Sequence, residues 1–192
     1  IFTSGINIFF LLGFSLFVIV FITYLVIFVP RFDYIYGRIF SFFNRDTGTH
    51  NFQSDKAIES ITSGGFFGKG IGEGTLKSRV PEAHTDYIIS VISEEFGVVA
   101  IILILLLFLM LIYMVFKKIN YEKNQKIKLI LLGCVSLILM QATIHIGVNI
   151  RLLPTTGMTL PFLSYGGSSI VSISILSGMI LNLTKRKINQ QT

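Results

Sequence analysis

The densest set of chemically useful side chains in the sequence lies in Pro81-Glu82-Ala83-His84-Thr85-Asp86, just ahead of a long apolar run. Two carboxylates, an imidazole and a hydroxyl stand almost side by side there. A carboxylate oriented by such neighbours at a water–lipid boundary is suited to take a proton from a substrate hydroxyl, and Asp86 is the candidate. A structural use of the same residues stays open: with a helix starting near Thr85, that threonine caps it and Asp86 favours its dipole. Glu94 and Glu95 follow about two turns later, and acids so close to an apolar run are costly unless they face protein or cations. Upstream, Gly64, Gly65, Gly68, Gly70, Gly72 and Gly74 form a glycine run. Gly68-Lys69 is followed by Gly70 rather than Ser or Thr, and the GxGxxG spacing is absent, so no nucleotide-binding loop is indicated. Two readings remain for the run, a turn-rich linker or backbone brought close to a diphosphate or sugar beside Lys69 and Lys77.

Further on, Gln141, His145 and Asn149 are spaced four apart and share one helical face, near Thr143 and Arg151. They fit interhelical hydrogen bonding or a polar cavity open to one side of a membrane. Ser164-Tyr165-Gly166-Gly167-Ser168-Ser169 is a small-residue stretch that permits close helix packing, and it is no G-x-S-x-G elbow. Cys134 is the only cysteine, which excludes an internal disulfide and a multi-cysteine metal site.

The elements that must position these residues are read from composition. Hydrophobic residues are 52% and charged residues 14%, with mean hydropathy +0.74. A soluble domain of this size needs more charge on its surface. Ile8–Val29 and Phe96–Phe116 carry no charge, and Leu129–Ile150 carries only His145. A stretch of 22 residues such as Ile8–Val29 reaches about 33 Å as a helix, enough for a hydrocarbon core of about 30 Å. A fourth uncharged stretch, Leu152–Thr184, is broken early by Pro154 and Pro161, so a helix is expected from about Leu163 to Leu183. The predicted fold is all-α: a polytopic helical membrane protein. Its spans fall at about 8–29, 95–116, 129–150 and 163–183, with one large ordered loop at about 31–86. The chain starts with Ile and enters a span almost at once, as a piece of a larger protein would.

Charge orients the spans. Five lysines and one acid, Glu122, lie between Lys117 and Lys128, and Lys185, Arg186 and Lys187 follow the last span. Both segments belong on the cytoplasmic side by the positive-inside bias, which puts the 31–86 loop outside. That loop carries seven basic and seven acidic residues. The pI near 9.5 is therefore topological, and nucleic acid is not expected as a partner. Its start is rich in Phe and Tyr with Arg31, Arg38 and Arg45 interleaved, which suits lipid headgroups. Asp46-Thr-Gly-Thr signals a turn, and Ser54–Thr62 a short helix.

Two segments together resemble a known family. Gly64-Gly-Phe-Phe-Gly-Lys-Gly-Ile-Gly-Glu-Gly-Thr, running into Pro81-Glu-Ala-His-Thr-Asp-Tyr and Glu94-Glu-Phe-Gly, resembles the large outer loop of the SEDS peptidoglycan glycosyltransferases. Leu153-Pro-Thr-Thr-Gly-Met-Thr-Leu-Pro-Phe-Leu-Ser-Tyr-Gly-Gly-Ser-Ser resembles that family's last outer loop and final span. The wording is closer to the division branch than to the elongation branch. Members have ten spans, so the resemblance makes this chain the C-terminal portion, spans seven to ten. It departs from division-type members at Thr156, commonly Lys, at His145, commonly Asn, and at Arg151, often Gly.

The resemblance implies an enzyme of the bacterial inner membrane, at the division septum, that polymerises lipid II into glycan strands. It works beside a class B penicillin-binding protein and other divisome proteins. The family's essential aspartate maps onto Asp86. Its linkage is β from an α-linked donor, so one inverting displacement needs one base and no covalent intermediate. The departing lipid diphosphate needs positive charge, from Lys69, Lys77, Arg79 or a divalent metal (Mg or Mn), with Asp86 a possible metal ligand and Arg151 a replacement cation. Glu82, His84, Thr85, Ser164 and Ser168 complete the expected substrate-binding set, and the lipid tail is expected in a groove near Phe96 and Ile101. Two other functions are kept beside it. A lipid II flippase predicts polar residues through the midplane of several spans, whereas Phe96–Met114 has only Tyr113. A non-enzymatic divisome scaffold predicts that Asp86 is dispensable.

Overall fold

The computed structural model describes residues 7–44, 49–80 and 83–185, apart from the side chains of Arg31, Asn44, residues 49–51 and Lys77. The described residues contain no strand, and four helices are long and apolar enough to cross a membrane. The protein is an all-α, multi-pass membrane protein, as its composition predicts. The chain divides into two compact units between Phe52 and Gln53.

In the first unit, α1 (Ile8–Phe28) is apolar on every side and buries none of its residues, as a lipid-surrounded helix does. Asn7 caps it by accepting the amide of Phe9 at 3.0 Å, and extended Val29 followed by Pro30 ends it. After a short 3-10 turn comes α2 (Asp33–Asn44), which carries Arg38 among Tyr34, Tyr36, Phe40, Phe42 and Phe43, while Arg45 lies outside the described residues. Tyr36 stacks on Phe40 with ring centroids 5.9 Å apart, and the Arg38 guanidinium lies 5.9 Å from the Tyr34 ring. Most of the turn predicted at 46–49 lies outside the described residues.

The second unit begins within α3 (Thr49–Gly64), which is longer than the helix predicted at Ser54–Thr62. Two single-turn helices follow, α4 (Leu76–Arg79) and α5 (Ala83–Asp86). The spans are α6 (Ile88–Tyr121), α7 (Gln125–Asn149) and α8 (Gly167–Thr184). Their shared core is Val115, Leu131, Cys134, Val135, Ile138, Ile173 and Ile180. The loop segment is ordered by a core of its own, in which Ala57, Leu76, Val80 and Ala83 pack with Tyr87 and Val148.

Helix α6 is broken at Gly97 (φ 78°, ψ −177°). The break is filled by the glycine run. The amides of Lys69 and Gly70 donate to the carbonyls of Glu94 and Glu95 at 2.9 and 3.1 Å. From the other side of the break, Val98 and Val99 donate to the carbonyls of Gly65 and Phe66 at 3.0 and 3.4 Å. Backbone must touch backbone here: a Cβ on Gly97 would lie 2.2 Å from the Phe66 carbonyl oxygen, and one on Gly68 2.2 Å from that of Glu95. The run is thus a bracket around a broken helix, and its backbone groups repair the hydrogen bonds the break removes.

At the far end of α7, Leu152 and Leu153 donate to the Gly147 carbonyl and Arg151 takes φ 58°. This is the left-handed helix ending usually given to glycine. Helix α8 begins at Gly167, four residues later than expected. Pro161, a left-handed Phe162 (φ 68°) and a turn closed by Ser164 Oγ accepting the Leu160 amide at 2.8 Å hold the preceding segment out of helix.

Candidate active site

Asp86 closes the single turn of α5, and Tyr87 then occupies the N-cap position of α6 without a side-chain cap bond. Thr85 therefore does not cap α6. The Asp86 side chain is half-buried and approaches the loop between α7 and α8: a Cβ on Gly157 would lie 3.7 Å from Asp86 Oδ2. Gly157 itself has φ +71°. A second tie joins α5 to that loop, since the amide of Tyr165 donates to the His84 carbonyl at 3.3 Å. The exposed His84 ring lies 6.3 Å from the Tyr165 ring, centroid to centroid.

The loop is fixed from below by α7. His145 Nδ1 is 2.8 Å from the Met158 carbonyl oxygen. Gln141 Nε2 donates to the Thr159 carbonyl at 2.8 Å, and Thr159 and Ser169 join their hydroxyls at 2.7 Å. Asn149 Nδ2 donates to the Asp86 carbonyl at 3.0 Å, while its Oδ1 accepts from Ser90 Oγ at 2.8 Å. The shared face predicted for Gln141, His145 and Asn149 is real, and it bonds helix to loop.

The expected cations are gathered elsewhere. Lys69 Nζ pairs with Glu94 Oε1 at 2.9 Å. Glu94 is almost wholly buried, and it also accepts from Thr75 Oγ1 at 3.1 Å and from the Leu76 amide at 2.9 Å. These donors meet the cost of a carboxylate inside the fold. Arg79 lies 4.0 Å from Glu59, whose carboxyl is held below its usual range chiefly by Lys56. Lys56, Glu59, Lys69, Thr75, Arg79 and Glu94 line a polar cavity of about 210 Å³. Arg151 pairs with Asp55 on α3. Of the expected serines, Ser164 is buried in its turn, and Ser168 is exposed in the first turn of α8 with its carbonyl accepting from Ser172 Oγ. Glu82 and the Lys77 side chain lie outside the described residues.

The structure thus joins His84 and Asp86 to the α7–α8 loop and places Lys69 and Arg79 in a separate polar cavity. Sequence reasoning missed Lys56 and Glu59 as partners of that cavity, because α3 carries no motif and its one-turn spacing of opposite charges is common on exposed helices. Among the described residues no three His, Cys, Asp or Glu side chains converge. A single carboxylate such as Asp86 would leave most of a hard cation's shell to substrate phosphates and water.

Two adjoining apolar cavities share Leu107, Leu111 and Phe162: one of about 520 Å³ between α6 and α8, and one of about 190 Å³ between α6 and Pro161–Leu163. Phe96 and Ile101 line neither; the groove lies further along α6 than expected. Its loop-side end is Pro161–Leu163, a few residues from Gly157 on the same loop. The apolar groove and the Asp86 contact therefore share one loop.

This arrangement has counterparts among known proteins. The chain is 38% identical over 163 residues to a probable peptidoglycan glycosyltransferase FtsW of Enterococcus hirae, covering 83% of this chain and 41% of that protein. It is 40% identical to one from Caulobacter vibrioides, over 81% of this chain and 40% of that one. It is 36% identical to stage V sporulation protein E of Bacillus subtilis, over 77% and 41%. The chain thus spans less than half the length of these curated relatives. Its fold is similar, at TM-score 0.61 and 25% identity, to a chain of a solved peptidoglycan synthase complex that coordinates polymerization and crosslinking. That likeness covers 91% of this chain and 50% of the other. The model of the cell cycle protein family FtsW/RodA/SpoVE matches residues 1–189. It runs through the first span, the glycine bracket, the Asp86 turn and the final loop alike, and the chain belongs to that family.

Proposed function

We propose that this chain is the C-terminal, Asp86-bearing part of a peptidoglycan glycosyltransferase that polymerises lipid II into glycan strands in septal wall synthesis. The observation that carries the proposal is the placement of Asp86: a half-buried carboxylate against the backbone of Gly157, on the same loop whose Pro161–Leu163 segment lines an apolar groove. A polyprenyl diphosphate is a ligand with those two halves. Its chain lies along Leu107, Leu111 and Phe162, and its sugar diphosphate reaches the loops.

In this reading the acceptor's sugar 4-hydroxyl attacks the anomeric carbon of the donor. Asp86 takes the hydroxyl proton, the new glycosidic bond forms, and the bond to the diphosphate oxygen breaks, leaving the polyprenyl diphosphate with the electron pair. The anomeric centre inverts in a single displacement. Lys69, Arg79 and Arg151 each stand by a carboxylate, which lowers the net charge each lends to the leaving group. A divalent ion held by Asp86 and substrate phosphates would supply Lewis-acid charge there. The apolar course of α6 from Val98 to Ile112 supports chemistry at one end of the bundle over passage of a headgroup through it. The class B penicillin-binding protein and other divisome proteins are the proposed partners, supported by the synthase complex with which the fold is shared. The test is polymerisation from purified lipid II by the full-length protein with its partner. Asp86→Asn is expected to lower the rate by about 100-fold or more, the worth of a general base. Retention of the rate by the variant would falsify the proposal.

A further inference from the structure

The two walls of the Asp86 site hang from one face of α7. The first wall is the Asp86 backbone, whose carbonyl accepts from Asn149 Nδ2 at 3.0 Å. The second is the Gly157–Thr159 backbone, whose Met158 carbonyl is met by His145 Nδ1 at 2.8 Å. Asn149 and His145 are one turn apart, and Asn149 Nδ2 gives its other hydrogen to the His145 carbonyl at 2.9 Å. Asn149 Oδ1 accepts from both the amide and the hydroxyl of Ser90, at 3.2 and 2.8 Å. Both side chains are fully buried. The Asn149 amide is saturated and joined rigidly to α6, α7 and α5 at once. A carbonyl only accepts, so His145 Nδ1 carries the hydrogen. His145 Nε2 is buried without a hydrogen-bond partner, so the ring has one polar contact, and it is to the loop.

We infer that Asn149 and His145 are positioning residues. Together they set the gap between the Asp86 carboxylate and the Gly157 backbone, and neither touches the reacting atoms. The effect on rate rests on the reading of Asp86 as the base; the geometric effect does not. The rival role for His145 is proton transfer, which needs an imidazole. Positioning needs only a donor at Nδ1, which the shorter amide of Asn provides.

Amide hydrogen exchange on the full-length protein in nanodiscs, run beside polymerisation from purified lipid II, separates these roles. His145→Leu is expected to speed exchange at residues 157–159 by about tenfold. It should also lower kcat by about tenfold, with KM for lipid II unchanged within about twofold. His145→Asn is expected to restore both. Asn149→Ala should loosen residues 84–86 in the same way. Ser90→Ala removes one of two donors to Oδ1 and leaves Nδ2 in place, so it should keep exchange at residues 84–86 within about twofold of the parent; loosening equal to that of Asn149→Ala overturns the assignment to Nδ2. Unchanged exchange in His145→Leu overturns the inference, and so does an Asn variant as impaired as the Leu variant. Should Asp86→Asn polymerise normally, the proposed function falls while the exchange result still decides the positioning.

Discussion

Arg151 holds a left-handed backbone conformation (φ 58°) at the end of α7 and an ion pair to Asp55. The first costs about 1–2 kcal/mol in a residue with a Cβ, and an ion pair this exposed returns about 0.2–1 kcal/mol. Glycine removes the backbone cost but adds about 0.5–1 kcal/mol of unfolded-chain entropy. The terms nearly cancel, so Arg151→Gly is expected to unfold within about 1 kcal/mol of the parent. Arg151→Ala loses the pair, keeps the strain and should be less stable than the glycine variant by about 0.5–1 kcal/mol. Thermal unfolding of the three proteins in one detergent checks the order. Glu94 offers a sharper contrast, because one buried carboxylate serves Lys69, Thr75 and Leu76. Glu94→Ala leaves a buried amide without a partner and is expected to cost about 3 kcal/mol or more. Glu94→Gln keeps one acceptor and should cost about 1–2 kcal/mol. Protease cleavage within residues 65–75 should rise in the same order.

The spans themselves were legible, because an uncharged run long enough to cross a bilayer has few other fates. So was the polar face of α7, since four-residue spacing of Gln141, His145 and Asn149 admits only one geometry on a helix. Glu94 could be read as an acid in need of a cation, and Lys69 is that cation. The glycine run could not be resolved, because a loop of glycines has no side chains to announce its partner. Its partner is the backbone of α6, and that contact depends on Gly97, a residue the sequence presents as an ordinary span glycine. The later start of α8 was hidden for a related reason: left-handed Phe162 carries no sequence signal. The bracket makes a firm prediction of its own. Gly97→Ala puts a methyl 2.2 Å from the Phe66 carbonyl oxygen in a φ 78° conformation. It is expected to cost about 3 kcal/mol or more, seen as loss of the monodisperse peak in size-exclusion chromatography. Gly133→Ala, in open space on α7, should be neutral and serves as the control.

On the largest scale, within the second unit, the apolar groove along α6 ends at Pro161–Leu163, on the loop that also carries Gly157. If that groove seats a polyprenyl chain, filling it should weaken binding in proportion to chain length. Leu111→Trp is expected to raise KM for long-chain lipid II by about tenfold while leaving a short-chain analogue within about twofold. Equal effects on both substrates would place the lipid elsewhere. The basic excess belongs to the same scale, since the orientation expected from sequence rests on the lysines of the α6–α7 turn. Glu122 there accepts the amides of Lys123 and Asn124 at 3.1 and 3.3 Å, and the Asn124 amide is the main reason its carboxyl sits below the usual range.

The broken helix has a consequence for how such a protein is made and diversified. Because the amides and carbonyls around Gly97 are completed only by residues 65–70, the second span is unfinished until the loop that precedes it folds back onto it. Loop and span therefore mature as one block, and a lipid-embedded α6 translated without that loop would present bare peptide groups near its entry. Exchange between relatives should respect the same boundary. A hybrid that imports residues 64–99 as one cassette keeps the seam intact, whereas one that imports the loop alone breaks it, however similar the motifs on either side.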